Sequence, residues 1–299
     1  MRIDLSWADS LHVEPFLSEI FAIAFVRGVA PLDALQRIGG HPDTLEERTP
    51  EEIRDLHDFD HGYPDIASAL SLGEWTVVLQ PTSWEVGSLV DALSRRTEAV
   101  SVVRHDYASP SFLHAVDGKI VTYVDPSFPD QRTVRDPERV LPLLRRVGFD
   151  PFDPDDEEAQ IDHPIARALR LAFLITGVLP TFEQLTEPLP SMHFDSWFAR
   201  TRPDSTEAEP AESIVAELGL GDTPGLAEAL AAARRGERVV VAPDSELGRH
   251  VREWLKISRL GSWSLNSARS RMTEEERRRA TRYGWLLLAL RQAFRPDLA

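Results

Sequence analysis

Alternating apolar and polar positions predict strands between residues 73 and 132, and the rest of the chain is arranged around this region. The predicted strands cover residues 75–79, 99–107, 111–116 and 119–124. Asp117-Gly118 joins the last two, and an Asp-Gly pair between alternating apolar runs indicates a two-residue hairpin turn. Residues 87–96 have the apolar spacing of a short helix. The order β-α-β-β-β predicts an antiparallel sheet of about four strands with helices on one side, which is the α+β class.

Three helices are predicted before this sheet, where they would cover one of its faces. Residues 15–27 carry apolar side chains at helical spacing, and Gly28 ends the run. Residues 31–38 begin with a proline in the first turn. Thr49-Pro50-Glu51-Glu52 is a capping box that begins a third helix, which is predicted to run to about residue 59.

The chain after the sheet is predicted to be mainly helical. Helices are expected at 136–147 and 163–176, and a capping box begins at Thr181. Residues 201–210 are rich in polar residues and proline, so we predict a linker there between an α+β domain (1–200) and a mainly helical domain (211–299). The second domain is predicted to contain helices at 224–235, 244–257 and 273–294 and one short strand at 238–242.

Several short motifs in the first 185 residues resemble those of an uncharacterised family of actinobacterial proteins that is classified as a domain of unknown function. They are Gly73-Glu-Trp-Thr, Pro81-Thr-Ser-Trp-Glu, Ala99-Val-Ser-Val and the Asp117-Gly hairpin, together with Phe128-Pro-Asp-Gln-Arg. The resemblance implies a fold more than an activity, because it brings no known catalytic residue, cofactor or partner.

The composition excludes some kinds of chemistry. The chain has no cysteine, which removes disulfides, thiolate zinc sites and cysteine nucleophiles. The N-terminus has acidic residues where a signal peptide needs a basic start, and the apolar runs are too short for a membrane span. These features predict a soluble, cytoplasmic protein that does not use a membrane.

The net charge of −16 is distributed unevenly. Residues 205–299 carry 15 Lys and Arg against 14 Asp and Glu, so residues 1–204 carry a net charge of −17. Such a field repels phosphates and favours basic partners. Residues 150–162 hold seven acids and no base, which predicts an exposed loop that either is simply solvated or docks a basic partner. The candidate docking residues are Asp153, Asp155, Asp156, Glu157 and Glu158.

Two histidine pairs are candidates for catalysis. His57 and His61 have the i, i+4 spacing that presents two imidazoles to one ion if a single helix contains both. The alternative is a polar helix end, because Gly62-Tyr-Pro64 follows directly. His105 and His114 would lie side by side across a hairpin if its turn were at Ser109-Pro110. Such a pair can move protons, or it can be a partly exposed cross-strand pair without a role.

Trp84 and Glu85 follow the first predicted strand of the sheet, where binding residues often lie, so both are candidate binding residues. Trp84 can equally be a packing residue. Gly-x-Ser-x-Gly, the phosphate-binding and dinucleotide-binding glycine motifs, and His-Glu-x-x-His are absent from the sequence. We therefore expect no cofactor and no metal.

The region 249–282 is basic, with ten Lys and Arg against four acids. With aromatic residues between them, these arginines suggest a nucleic-acid surface as an alternative. The competing interpretation is pairing within the helix, because Glu274–Glu276 lie one turn before Arg277–Arg279. The candidate nucleic-acid contacts are Arg269, Arg271, Arg277, Arg278, Arg279 and Arg282.

Taken together, these features favour a non-enzymatic interaction or regulatory protein with an acidic N-terminal face for a basic protein partner. An immunity- or defence-associated protein would fit this charge by analogy with acidic inhibitors. A metal- or histidine-dependent hydrolase and a nucleic-acid binder remain the two alternatives.

Overall fold

A sheet of nine described strands dominates the N-terminal part of the chain. The computed structural model describes residues 5, 7–10, 19–150, 162–199, 209–262 and 271–294. The strands, β1 to β9 in chain order, are Ile20–Arg27, Glu46–Arg48, Asp65–Leu72, Trp75–Gln80, Glu98–His105, Ser111–Val116, Lys119–Val124, Arg132–Val134 and Leu189–Phe194. Their order in the sheet is β2-β9-β3-β4-β1-β5-β6-β7-β8. The sheet is thus larger than the four strands predicted, and the α+β class is confirmed.

Twelve described α-helices accompany the sheet. The helices α1 to α4 lie between its first strands: Pro31–Arg37, Pro50–Leu56, Glu85–Ser88 and Val90–Leu93. The helices α5 to α7 lie between β8 and β9: Pro137–Val147, Pro164–Thr176 and Phe182–Thr186. The helices α8 to α12 follow β9: Ser196–Ala199, Ala211–Leu218, Leu226–Arg234, Glu246–Leu260 and Glu274–Phe294. The predicted helices after the sheet are all present, with ends that differ by a few residues.

The predicted helix at 15–27 is wrong, because its described part is the central strand β1. β1 pairs antiparallel with β4 on one side and with β5 on the other. Both of its faces are buried, so the strand is apolar throughout, and a continuous apolar run cannot be told from a buried helix by periodicity alone. The sequence does alternate large and small residues, with Phe21, Ile23 and Phe25 on one face and alanines between them.

Helices cover both faces of the sheet rather than one, which corrects a second expectation. On one face, Ile23, Val100 and Val102 belong to the same apolar core as Leu144 of α5 and Leu169 of α6. The opposite face carries the alternate residues of each strand and is covered by α1, α3 and α4. An antiparallel sheet that is covered on both sides has central strands that are buried on both faces, as seen over most of β1 and the whole of β4.

The turn and capping chemistry follows the sequence closely. Asp117 and Gly118 both have positive φ and join β6 to β7, as the Asp-Gly pair predicts. The Thr49 capping box is formed, with the Glu52 carboxylate accepting from the Thr49 backbone N–H at 2.7 Å. The Thr181 box is formed with Gln184. By contrast, residues 238–242 are neither strand nor helix; the Val239 N–H donates to the carbonyl of Phe294.

The chain divides into two compact units. Unit 1 comprises Met1–Ile38, Thr44–Asp55 and Asp65–His193, and unit 2 comprises Gly39–Asp43, Leu56–Pro64 and Phe194–Ala299. Residues 200–208, most of the predicted linker, lie outside the described residues, so the linker stays a prediction. None of the described helices is long and apolar enough to cross a membrane.

Unit 2 is a helical body with its own core, and two short segments from the N-terminal half belong to it. Trp197, Val251, Trp254 and Leu286 lie in that core. The other members are Ala211, Ile214, Val215, Leu226, Leu230, Leu247, Tyr283, Leu287, Ala289, Leu290 and Phe294.

A buried polar network holds the short segments within unit 2. The Asp195 carboxylate lies 3.2 Å from His41 Nε2 and accepts from the Arg259 guanidinium. Arg259 also donates to the carbonyl of Tyr63 at 3.1 Å. Arg252 pairs with Asp43 at 2.8 Å. Because Asp195 is almost fully buried, its charge needs these partners.

Candidate functional site

The candidate site lies in unit 1, where β4 ends and α3 begins. Gln80 at the end of β4 is fully buried, and its side-chain oxygen accepts from the Val86 backbone N–H at 2.8 Å. Its amide nitrogen donates to Asp65 at 2.9 Å. The two bonds tie α3 to the sheet and fix the loop that carries Trp84.

A glycine lets α3 approach β5 closely. A Cβ on Gly87 would lie 2.1 Å from Cγ2 of Val103, closer than atoms can come. The Gly87 carbonyl accepts from the hydroxyl of Ser101, a residue of β5, at 3.0 Å. This close contact brings Trp84 and Ser88 beside the last residues of β5 and the first residues of β6.

The resulting cavity, which we call the α3 pocket, has a volume of about 350 Å³. This is near the lower end of the range for ligand pockets. Its walls are apolar side chains with a few hydroxyl groups and one imidazole. The lining residues are Trp84, Ser88, Val103, His105, Ala108, Ser109, Ser111 and Leu113. Trp84 is 43% exposed, so the indole is open to solvent beside the cavity.

An aromatic residue and a carboxylate lie next to this pocket. The Tyr107 N–H donates to Nδ1 of His105 at 3.3 Å, and the two rings meet edge to face with centroids 6.5 Å apart. The Tyr107 hydroxyl donates to the Glu19 carboxylate. That hydrogen bond and the negative charge of Glu19 raise the pKa of the Tyr107 phenol. Tyr107 is 73% exposed.

Glu19 and its neighbour Asp106 differ in whether a cation pairs with the carboxylate. Asp106 is neutralised by Arg104, whose Nε and Nη2 each donate to one carboxylate oxygen at 2.8 Å. Arg104 is buried and also donates to the carbonyls of Ala8 and Ser10. In the described part of the chain, Glu19 contacts no cation. Among the described residues, Glu19 is therefore a carboxylate without a paired cation, bonded to the exposed Tyr107 ring beside the α3 pocket.

Comparison with known proteins adds a family but not an activity. Residues 2–188 match the model of a family of unknown function, DUF6461. The chain belongs to this family. No curated protein and no solved structure matches the chain. The whole α3 pocket, with Tyr107 and Glu19, lies within the DUF6461 region, whereas the helices α8 to α12 lie beyond it.

Of the two binding residues predicted after the end of β4, Trp84 lines the α3 pocket and Glu85 does not. Glu85 is the first residue of α3 and lies beside Trp84 in the chain. The Glu19–Tyr107 contact was not predicted, because 88 positions separate the two residues and β1 was mistaken for a helix. The correct pairing of β1 with β5 would have placed Glu19 beside Asp106, since the Asp106 N–H donates to the Glu19 carbonyl.

His105 and His114 are not a pair, which corrects the predicted register. β5 and β6 pair with Val100 opposite His114 and Val102 opposite Phe112, while His105 lies opposite Ile20 of β1. The connecting loop is longer than the assumed turn at Ser109-Pro110. His105 thus reaches the α3 pocket, whereas His114 lies buried on the other face of the sheet.

His114 belongs to a buried polar group on the α5 side. Its Nε2 lies 2.8 Å from the Glu98 carboxylate, which also accepts from Arg139 of α5 at 3.1 Å. The hydrogen bond from His114 is the main cause of a lowered pKa for Glu98. In the described residues, Nδ1 of His114 and the hydroxyl of Thr122, its neighbour on β7, have no hydrogen-bond partner.

His57 and His61 do not share a helix face, because α2 ends at Leu56. Nδ1 of His57 bonds with the carbonyl of Pro64 at 3.1 Å, and burial lowers the pKa of this imidazole. Nδ1 of His61 bonds with Asp58 at 2.8 Å. Within the described ranges, no group of three or more His, Asp and Glu could hold a metal ion.

The acidic candidates Asp153, Asp155, Asp156, Glu157 and Glu158 lie outside the described residues. The stretch begins at Asp150, which pairs with Arg132 at 2.7 Å and with Arg145 at 3.0 Å. Docking at this stretch stays a prediction.

The predicted nucleic-acid arginines are mostly engaged within unit 2. Arg277 pairs with Glu274 one turn earlier at 3.0 Å. Arg282 pairs with Glu209 and Glu217. Arg279 donates to Tyr283, and the Arg271 guanidinium lies 4.6 Å from the centroid of the Phe59 ring. Arg278 is exposed on α12, and Arg269 is outside the described residues. This pattern favours internal pairing over an open basic groove.

Proposed function

We propose that the chain is a non-enzymatic interaction protein with a regulatory role, and that its DUF6461 region binds a basic protein partner at the α3 pocket. The observation that carries the proposal is the exposed indole of Trp84 beside a cavity of about 350 Å³. Exposed tryptophan and tyrosine side chains next to a pocket are the residues that most often dominate the affinity of protein interfaces.

Charge supports a basic partner. Glu19 and the Tyr107 ring that it holds lie at the edge of the α3 pocket, and residues 1–204 carry a net charge of −17. An acidic field accelerates the approach of a basic protein, and an uncompensated carboxylate gives it a specific ion pair. Exposed aromatic faces also attract guanidinium and ammonium groups.

The two alternatives are supported less well. Of the four histidines predicted for a metal- or histidine-dependent hydrolase, His105 lines the α3 pocket, whereas His57, His61 and His114 bond to neighbours elsewhere. Nucleic-acid binding would have to use arginines that mostly have internal partners. Neither alternative explains why an indole is exposed beside a cavity.

The test is a comparative capture experiment, in which the full chain is immobilised and retains proteins from a native cell lysate. Four proteins are compared at low and moderate salt: the unchanged chain, Trp84→Ala, Glu19→Gln and Trp285→Ala. Trp285 is the matched control, because it is also 43% exposed but lies on α12 in unit 2.

We expect one basic protein to be retained by the unchanged chain and by Trp285→Ala and to be lost from Trp84→Ala. Glu19→Gln should release it at lower salt, because a surface ion pair is screened by salt. Equal retention by Trp84→Ala, or retention of nucleic acid in place of protein, would exclude the proposal.

A further inference from the structure

The hydrogen-bonding state of His105 limits what can occupy the α3 pocket. Nδ1 of His105 accepts from the Tyr107 backbone N–H at 3.3 Å. A neutral imidazole carries one proton, so that proton is on Nε2, and this N–H is the group that the ring can offer to a ligand. It has no hydrogen-bond partner in the described part of the chain. The occupant therefore has to provide an acceptor.

The other walls require an apolar and planar group. Trp84 contributes its indole to the lining, and Val103 and Leu113 are aliphatic. Aromatic rings pack well against such walls and gain further from contact with another ring. Ser109 and Ser111 add two hydroxyls, which can accept a hydrogen bond as well as donate one.

These requirements together favour a tyrosine side chain. Tyrosine has a planar ring, an oxygen that accepts from an N–H and a hydroxyl proton that can go to a serine. Phenylalanine has no acceptor and would leave the His105 N–H unpaired, while tryptophan, lysine and arginine only donate. Aspartate and glutamate would be repelled by Glu19, which contacts no cation among the described residues.

We infer that the α3 pocket receives a tyrosine side chain of the partner, and that a lysine or arginine next to this tyrosine pairs with Glu19. The inference rests on the proposed function and specifies the partner's recognition element. Trp84 stacks on the tyrosine ring, His105 donates to its oxygen, and Glu19 holds the neighbouring base.

The test uses small probes, so that it does not depend on identifying the partner. Binding of N-acetyl-L-tyrosinamide, N-acetyl-L-phenylalaninamide and N-acetyl-L-argininamide to the full chain is measured by ligand-observed NMR. We expect the tyrosine probe to bind at about millimolar concentration, as its size allows. The phenylalanine probe should bind about fivefold more weakly, the worth of one neutral hydrogen bond. The arginine probe should be the weakest.

Variants assign the contacts. Trp84→Ala should abolish binding of the tyrosine probe, and Trp285→Ala should leave it unchanged. His105→Phe should remove the preference for tyrosine over phenylalanine while phenylalanine still binds. His105→Gln, which keeps a side-chain donor, should restore part of the preference. If His105 had only a structural role, its replacement would weaken binding of both probes. It would not remove the preference for tyrosine while phenylalanine still binds.

Two tripeptides test the neighbouring base. Acetyl-Lys-Tyr-Lys-amide should bind more tightly than acetyl-Glu-Tyr-Glu-amide, and Glu19→Gln should reduce the difference. The inference is overturned if the tyrosine probe does not bind, if phenylalanine binds as well, or if Trp84→Ala changes nothing. If the tyrosine probe does not bind but capture of the protein partner still depends on Trp84, the tyrosine inference fails and the proposed function stands. If the tyrosine probe binds but capture of the partner does not depend on Trp84, the proposed function fails although the pocket binds tyrosine.

Discussion

Gly87 of α3 lies so close to Val103 of β5 that even one added carbon atom would overlap it. The Cβ of an alanine at Gly87 would be 2.1 Å from Val103 Cγ2 and 3.7 Å from the Cβ of Ala22. Val103 also lines the α3 pocket, so the contact that seats α3 on the sheet also shapes the candidate site.

We predict that Gly87→Ala destabilises the protein by about 1–3 kcal/mol, the usual cost of forcing an extra carbon into a packed interior. It should also weaken binding of the tyrosine probe, because α3 must move away from β5. Chemical denaturation and ligand-observed NMR measure the two effects. Gly221→Ala is the control, since nothing lies within 4 Å of its Cβ position. An unchanged denaturation midpoint for Gly87→Ala would contradict the close packing of α3 against β5.

Arg104 is predicted to hold the strand end that carries His105 and Tyr107. Its guanidinium joins Asp106 to the carbonyls of Ala8 and Ser10, and it is buried. Arg104→Met would leave Asp106 without its partner, at a cost of about 2–3 kcal/mol.

The matched control for Arg104→Met is Arg27→Met, whose ion pair with Glu74 is largely exposed and should contribute little. Urea denaturation of the two variants gives the comparison. Equal destabilisation by both would mean that the buried guanidinium has no special role.

Two buried threonines provide a test of hydrogen-bond satisfaction. Thr122 and Thr76 are both almost fully buried. The Thr76 hydroxyl donates to the carbonyl of Val29 at 2.5 Å, whereas the Thr122 hydroxyl has no partner in the described residues. Valine has nearly the same shape as threonine but no hydroxyl. Thr76→Val should therefore cost about 1 kcal/mol, and Thr122→Val should be neutral or stabilising. Thermal melts measure both changes, and a large loss for Thr122→Val would indicate an unrecognised partner.

Glu98 is predicted to make stability depend on acid pH. Hydrogen bonding from His114, aided by Arg139, lowers the pKa of this carboxyl in the folded state. A lowered pKa adds stability that is complete above the ordinary glutamate pKa and is lost as the pH falls through the folded value. The loss should occur below about pH 5, where unfolded glutamates begin to take up protons.

Glu98→Gln should reduce stability at neutral pH and flatten its dependence on pH below about pH 5. Denaturation midpoints of both proteins at a series of pH values measure this. Asp130→Asn, at an exposed position, is the control for removing one carboxylate. Parallel curves for Glu98→Gln and the unchanged protein would contradict the assignment.

The sequence predicts those parts of the fold that local chemistry determines. The Asp117-Gly118 hairpin and the capping boxes at Thr49, Thr181 and Thr273 depend on a few adjacent residues, and all are formed. The strand β1 depends on burial by elements far away in the chain. Its apolar run fits a buried helix equally well, and only the alternation of large and small residues favours a strand.

The candidate site was predictable only in part. Trp84 follows a strand end, and this position alone indicates a binding residue. Predicting the role of His105 requires the register between β5 and β6. The loop between these strands is longer than the assumed turn, so the register differs by several residues from the predicted one. Glu19 could not be placed without β1. These residues meet through pairing between distant segments, and local sequence patterns do not specify such pairing.

The most direct test of the account is amide hydrogen exchange on the full chain, with and without the captured partner. If the partner docks at the α3 pocket, exchange should slow at residues 84–88 and 105–111 and stay unchanged at 274–294. Protection confined to residues 274–294, with none around Trp84 and His105, would contradict the central claim and transfer the binding surface to the arginine-rich helix of unit 2.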